Sequence, residues 1–595
     1  MTNPTFLGRV GSVAGATVSV RQAESVASGI AIIDGRSYRV AQVGSFVRIP
    51  QGYHDLYGII SEVGAQATPE TLIDARQRGE SWMTVQLVGE IVETSFERGI
   101  SQYPGINDEV HLVTEGDLGR IYGVTDEGQI TIGRLAGAES IPVRIDLDRL
   151  VTRHSAVLGS TGSGKSTTIA SLLRSICHSG GGRCASARVL LLDIHGEYGD
   201  ALKTNAAVFR VNPSADEQPL HVPFWALDTA TLLDFLLGPI SEAAYTSITD
   251  RIQAAKLSVA DGVAGVDVNA VTVNTPLPFS LKRLWAELID PEYRTWADPA
   301  RSQPALDEEG DAETLKAPKY KPASATNSAP YLNQFGVLGI KRQLAQMRSR
   351  LLDRQFDFML HPGDWEPDLA GKPQKDLPQL LEAWFGHDKP ITVLDLSGVP
   401  SQVLVRLIGA ILNITYEAMF WGRNLPEGGR NRPELIVMEE AHRYLGKDTG
   451  NPARDMVQRI VKEGRKFGVG AMIISQRPSE IDETILSQCG TLFALRLSNT
   501  ADQAKVKAAL PDSLSGLVDT LPVLRTGEAI IMGEAARLPI RCRINLPPEG
   551  QRPTSEDPEV SVAWAKPRAD EDYERLAAAW RSQDPKWGMK NTEKK

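Results

Sequence analysis

Cysteine is scarce: 595 residues hold four, Cys177, Cys184, Cys489 and Cys542, with no C-x-x-C pair among them. That excludes a disulfide framework and a cysteine-ligated metal site, and it suits a reduced, cytoplasmic compartment. Long apolar runs are missing as well. No uninterrupted stretch is long enough to cross a bilayer, so no membrane partner is expected. The opening residues, Met1-Thr2-Asn3-Pro4-Thr5-Phe6, have neither a basic region nor an apolar signal core. Nor is there an excess of basic charge. A net charge of −10 argues against a surface coated with nonspecific nucleic-acid affinity, while leaving room for a narrow basic channel. No N-K-x-D guanine-reading motif occurs, which disfavours a regulatory GTPase, and no complete nuclease or NADase signature appears.

What the chain does carry is the run Gly159-Ser160-Thr161-Gly162-Ser163-Gly164-Lys165-Ser166, followed by Thr167. It meets G-x-x-x-x-G-K-[ST] at every fixed position. The apolar Ser155-Ala156-Val157-Leu158 precedes it and a helical pattern from Thr168 follows, the strand–loop–helix setting the motif needs. Its glycines let successive backbone N–H groups turn inward around a polyphosphate, beside the positive end of the helix dipole. Lys165 is expected at the β- and γ-phosphates, and Ser166 on Mg²⁺. The chain is therefore read as binding a nucleoside triphosphate, ATP.

Two further segments share the pattern of a buried parallel strand ending in acids. In Val189-Leu190-Leu191-Leu192-Asp193-Ile194-His195-Gly196-Glu197, Asp193 and Glu197 either face the nucleotide or form a turn. In Glu434-Leu435-Ile436-Val437-Met438-Glu439-Glu440, Glu439 is expected to act on Mg²⁺ and Glu440 to deprotonate the attacking water. Two adjacent carboxylates are costly unless a cation shares them. The blander alternative is an acidic helix start. Asp395, closing Ile391-Thr392-Val393-Leu394-Asp395, either supports the site or makes a turn. Gln476, at the end of Val469–Ser475, sits where a residue monitoring the γ-phosphate would. Arg465 and Lys466 end a helical run; from spacing alone, an arginine finger and a cap on helix-terminal carbonyls both stay open.

The expected architecture is α/β: a RecA-like phosphate-loop motor domain with an N-terminal small β-barrel and a helical insertion. At this length about two to four domains are expected. Short glycine-punctuated β-runs fill residues 1–145, read as the barrel. Residues 146–224 and 386–540 read as the motor core, 225–385 as the insertion with a flexible linker at 291–330, and 541–595 as a tail. Within the insertion, Ile340, Leu344, Met347 and Leu351 mark an amphipathic helix decorated by Lys341, Arg342, Arg348, Arg350 and Arg354. That basic strip reads either as a DNA contact or as a solvated face.

Taken together, these segments resemble the HerA-type hexameric ATPases, prokaryotic DNA translocases related to FtsK pumps. The resemblance rests on Phe96-Glu97-Arg98-Gly99-Ile100, Gly159–Ser166, Asp193-x-His195-Gly196-Glu197-Tyr198, Glu439-Glu440-Ala441-His442, Glu463-Gly464-Arg465-Lys466-Phe467-Gly468 and Ser475-Gln476-Arg477-Pro478. It implies a homohexamer with ATP between subunits and double-stranded DNA in a central pore. It further implies that Arg465 acts in trans, that Arg153 reaches a nucleotide, and that the tail braces a neighbouring subunit. Arg443 and Lys447 are then candidate DNA contacts in the pore. Glu439 departs from the Asp that many related motors carry. The resemblance also implies a separate effector on the barrel face, a nuclease or a sirtuin-like NADase, in antiphage defence or DNA end processing. A rival is an ATP-gated ring scaffold that activates its partner without processive translocation.

Overall fold

The computed structural model describes residues 3, 5–23, 30–33, 36–40, 42–64, 81–92, 95–122, 128–178, 186–326, 328–447, 450–509, 518–553, 560–566 and 573–582. Cys184 lies outside them. The chain folds as two compact units, one of Met1–Ala206, Met419–Thr449 and Val457–Ser555, the other of Ala207–Ala418, Gly450–Met456 and Glu556–Lys595.

The first unit opens with a closed six-stranded barrel of Phe6–Ala14, Thr17–Gln22, Phe46–Pro50, His54–Gly64, Trp82–Val92 and Glu109–Leu112, paired antiparallel throughout. Side chains alternate along each strand, so Val10, Val18, Val47, Ile49, Leu56 and Val85 fill the interior and leave no open edge between these strands. The hairpin strand Ser95–Arg98 extends from Trp82–Val92. Its Arg98 guanidinium donates to the carbonyls of Gly533, Ala536 and Arg537, pinning barrel to motor.

The motor sheet of this unit runs in the order Ala138–Asp146, Gln129–Leu135, Ile540–Ile544, Glu528–Gly533, Thr491–Ala494, Ser155–Leu158, Val469–Ser475, Glu434–Met438, Arg188–Asp193. The last five are parallel and buried along their whole length, which is why they read as unbroken apolar runs. The first four form an antiparallel flank. Here the expected boundaries shift. Gln129–Leu135, read as a barrel strand, belongs to the motor sheet, and Ile540–Ile544, which the expected boundary between motor and tail divides after 540, pairs with it. A β-run declares its period but not its partner, and this partner lies about 400 residues away in the chain.

In the second unit the helices Thr229–Leu237, Glu242–Val259, Leu281–Tyr293, Lys341–Leu351 and Leu377–Phe385 make up the helical insertion. The linker expectation for 291–330 is overturned. Thr295–Trp296 pairs with Tyr331–Leu332 and Leu306–Glu308 with Lys319–Tyr320, while Thr295, Ala305 and Leu315 are buried. Composition suggested a linker because the segment is acidic and proline-rich; a few apolar anchors suffice to fold it. The amphipathic helix forms with Leu344, Met347 and Leu351 buried. Part of its basic strip is engaged within the protein: Arg348 Nε donates to Leu315 O at 2.7 Å, and Arg350 and Lys341 lie over the rings of Phe235 and Tyr293. The helix Ser401–Trp421 has the length and mean hydropathy (1.5) of a membrane span even though Arg406 and Glu417 interrupt it, and most of it is buried inside the protein. The described residues of the tail include the helices Val560–Ala565 and Tyr573–Ser582, whose Trp564, Tyr573, Leu576 and Trp580 are exposed.

Candidate nucleotide-hydrolysis site

Strand register assembles the site. Leu158 pairs with Ser475 and Ala494, Met438 with Ile473, and Leu192 with Met438. The next residues in each strand, Gly159, Gln476, Leu495, Glu439 and Asp193, therefore emerge together at the carboxyl edge of the parallel sheet. Gly162 and Gly164 adopt φ of 71° and 92°, a backbone that non-glycine residues rarely take, and so turn the loop into the helix Lys165–His178. Ser160 N, Ser163 and the first helical turn, with Ser166 and Thr167, follow around this bend, and Thr161 is exposed at its tip.

Lys165 is buried, and its Nζ lies 3.5 Å from Glu440 Oε1. Burial lowers the lysine's pKa, while Glu440, Glu439 and Glu197 oppose that fall. Gln476 bridges the two halves of the site: its Nε2 donates to Glu440 Oε1, and its Oε1 accepts from Thr161 Oγ1. Glu440 itself sits at φ 43°, ψ 44°. A left-handed conformation in a non-glycine residue costs about 1–3 kcal/mol, a strain that concentrates at functional positions.

Glu439 is buried against Asp193. Burial first, then the neighbouring Asp193 carboxylate, raises Glu439 well above the usual carboxylate range. Asp193 in turn accepts backbone N–H bonds from Gly196 at 2.8 Å and Tyr198 at 2.9 Å, which ties down the turn carrying half-buried Glu197. Among the described residues no hydrogen bond reaches the buried Glu439 Oε2 or Glu440 Oε2, although His442 Nδ1 approaches the latter to 3.2 Å. Oxygen atoms left in that state suit a hard divalent cation. Among the described residues no group of three His, Cys, Asp or Glu side chains forms a ready-made metal cage.

The remaining expected residues lie elsewhere. Arg153 ends the helix Leu147–Thr152 and pairs with Glu534 at 3.4 Å. The strand Ser155–Leu158, about 13 Å at ~3.3 Å per residue, separates it from the phosphate loop. Arg465 is exposed in the turn Gly464–Phe467, at the amino end of Val469–Ser475, whereas Gln476 follows its carboxyl end. Both arginines thus occupy the amino edge, away from their own chain's loop. Asp395 belongs to the second unit, where it pairs with Arg210 at 2.6 Å and accepts from Ser397 N at 2.9 Å, a turn-former's contacts. Arg443 and Lys447 are exposed after the acidic strand.

Sequence reasoning missed three participants. His442 Nδ1 stands 3.2 Å from both Glu440 Oε2 and Ser475 Oγ, joining the acidic strand to the Gln476 strand. Tyr444 donates to Glu439 O at 2.9 Å. Arg496 grips the phosphate loop. The position of His442 two residues after paired acids was the one available signal; Arg496, more than 300 residues from the loop, gave none.

Two family descriptions match this chain: "Helicase HerA, central domain" over residues 130–414 and "Helicase HerA-like C-terminal" over 410–537. The DNA double-strand break repair helicase HerA of Sulfolobus acidocaldarius is 26% identical over 477 residues, 80% of each chain. The chain belongs to the HerA helicase family. HerA of Saccharolobus solfataricus is 28% identical over 76% of this chain and 74% of its own, and that of Pyrococcus furiosus 27% over 79% and 80%. Among solved structures, VirB4 of Thermoanaerobacter pseudethanolicus aligns at 15% identity and a TM-score of 0.44, covering 72% of this chain and all of that one. The plasmid coupling protein TrwB with an ATP analogue aligns at 15% identity and 0.41, covering 75% and 94%.

Proposed function

We propose that this HerA-family protein is a cytoplasmic ATPase that assembles as a homohexamer, hydrolyses ATP at the seams between subunits, and drives double-stranded DNA through a central pore. The observation that carries this reading is the split of functional side chains between two edges of one sheet. Lys165, Glu439, Glu440 and Gln476 gather at the carboxyl edge, while Arg153 and Arg465 stand at the amino edge, where only a neighbour's nucleotide is within reach.

The chemistry follows from the contacts. In the structure Glu440 Oε1 is held by Gln476 and Lys165. Phosphates compete for Lys165, loosening that hold, and Glu440 can then take the proton of an attacking water. Gln476, touching both Thr161 and Glu440, couples the loop to the base. Glu439 and Ser166 would hold Mg²⁺, which would supply charge stabilisation to the phosphates. Arg465 from the next subunit neutralises charge developing in the transition state, with Arg153 assisting. Asp193 and Glu197 support the acidic strand. Arg443 and Lys447 are the proposed DNA contacts. The barrel serves as platform for a separate effector, a nuclease or sirtuin-like NADase, in antiphage defence or DNA end processing. The exposed tail helices brace a neighbouring subunit.

The test measures ATP hydrolysis and assembly mass together, across duplexes of increasing length. Turnover that rises with duplex length is expected; a stable monomer under ATP without hydrolysis overturns the proposal. Turnover indifferent to duplex would favour the ring scaffold.

A further inference from the structure

Thr491–Ala494 lies beside the phosphate-loop strand on the side away from Gln476. The chain leaving it makes several contacts with the loop. Leu495 N donates to Leu158 O at 2.8 Å. Arg496 O accepts from both Ser160 N and Ser160 Oγ, each at 2.9 Å, and its guanidinium donates to Gly162 O at 3.1 Å. Packing there is close enough that a Cβ on Gly159 would fall 2.8 Å from Leu495 Cβ. The same segment reaches the turn after Gln476: Asp502, buried in the helix Thr500–Ala508, accepts from Ser479 N at 3.1 Å and from Ser479 Oγ at 2.7 Å. Residues 496–502 therefore clasp both elements that would read the γ-phosphate.

Charge distinguishes the two cations of this cradle. Lys165 is paired with Glu440. Arg496 is only half-buried and, among the described residues, no carboxylate pairs with it; one of its five N–H donors meets a carbonyl oxygen of the loop. A guanidinium with unused donors, one loop-thickness from a polyphosphate cradle, matches phosphate oxygens in geometry and sign.

We propose that Arg496 is a nucleotide-binding residue acting within its own subunit, placing its free N–H donors on the phosphate chain at the loop's rim. This rests on the reading of Gly159–Ser166 as a triphosphate site. Because the tether to Ser160 runs through the main-chain carbonyl, Arg496→Ala removes the guanidinium and keeps that anchor.

The experiment titrates fluorescent ATP, ADP and AMP analogues into the wild type, Arg496→Ala, Arg496→Lys and Lys165→Ala, with steady-state kinetics alongside. A charge-assisted hydrogen bond is worth roughly tenfold or more in affinity. Arg496→Ala is expected to weaken ATP and ADP by about that factor, to leave AMP within about threefold, and to raise KM more than it lowers kcat. Arg496→Lys should recover part of the loss, since it keeps the charge. If Arg496→Ala binds all three nucleotides like the wild type while Lys165→Ala loses ATP and ADP, the role of Arg496 is wrong and the triphosphate site stands. An equal loss for ATP and AMP, with no recovery by lysine, marks a purely structural residue and also overturns the proposal. If the wild type and Lys165→Ala bind ATP alike, the underlying site reading fails instead.

Discussion

At the carboxyl edge of the motor sheet, Lys165, Glu439 and Glu440 are buried, Glu440 is held in a left-handed conformation, and two carboxylate oxygens accept no hydrogen bond. At the amino edge the buried charge is matched. Arg188 pairs with Glu434 at 3.2 Å and donates to Glu427 O at 2.8 Å. His154 accepts from Ala471 N at 3.1 Å, and Gly429 and Gly468 abut so closely that a Cβ on Gly468 would lie 1.8 Å from Gly429 O. One edge leaves two buried carboxylate oxygens without a donor among the described residues; the other pairs its buried charge and packs backbone on backbone. Buried charge left open is where binding energy can be converted into chemistry.

The contrast breaks most sharply at Arg465. Arg465→Ala should lower ATP turnover by about 10³–10⁵ with little change in nucleotide affinity. Mixing it with Lys165→Ala should restore activity, because some seams then contain both wild-type groups; steady-state ATPase assays across mixing ratios check this, and no recovery places the arginine's action in its own subunit. Glu440→Gln comes next. A turnover loss of about 10²–10⁴, with ATP binding retained by calorimetry, is expected of the residue that takes the water's proton.

Smaller effects probe the amino edge. Gly468→Ala forces a clash between two backbones at a φ of 71° and should cost about 4 kcal/mol, read as a lowered midpoint in urea unfolding. His154 gives the mildest test. Burial depresses its pKa from 6.5 to about 4, so the neutral ring is the folded form. Its contribution is present above pH 6.5 and is lost as pH falls through 4, up to about 3 kcal/mol. His154→Asn tolerates the residue's positive φ of 54° and should flatten that part of the acid-unfolding profile.

Much of the carboxyl edge was legible in the sequence because its signals are local. The glycine-rich loop, the apolar runs ending in Asp193 and in Glu439-Glu440, and Gln476 after its strand each announce themselves within about ten residues. What stayed hidden depends on register and on distant partners. Nothing near Arg496 points to Ser160 and Gly162, and nothing near Gln129–Leu135 names Ile540–Ile544. The αL backbone of Glu440 was invisible because glutamate gives no hint of it. Residues 291–330 misled through composition, since a handful of buried anchors outweighs an acidic, proline-rich average.

The late arrival of Ile540–Ile544 has a consequence for synthesis. The barrel strands all emerge from the ribosome within the first 112 residues and can close among themselves. The motor's Gln129–Leu135 must wait for a strand translated more than 400 residues later, some tens of seconds at elongation rates of ~5–20 residues per second. A product truncated before Ile540 would leave Gln129–Leu135 and Glu528–Gly533 with bare flanks, an open invitation to pair with another nascent chain.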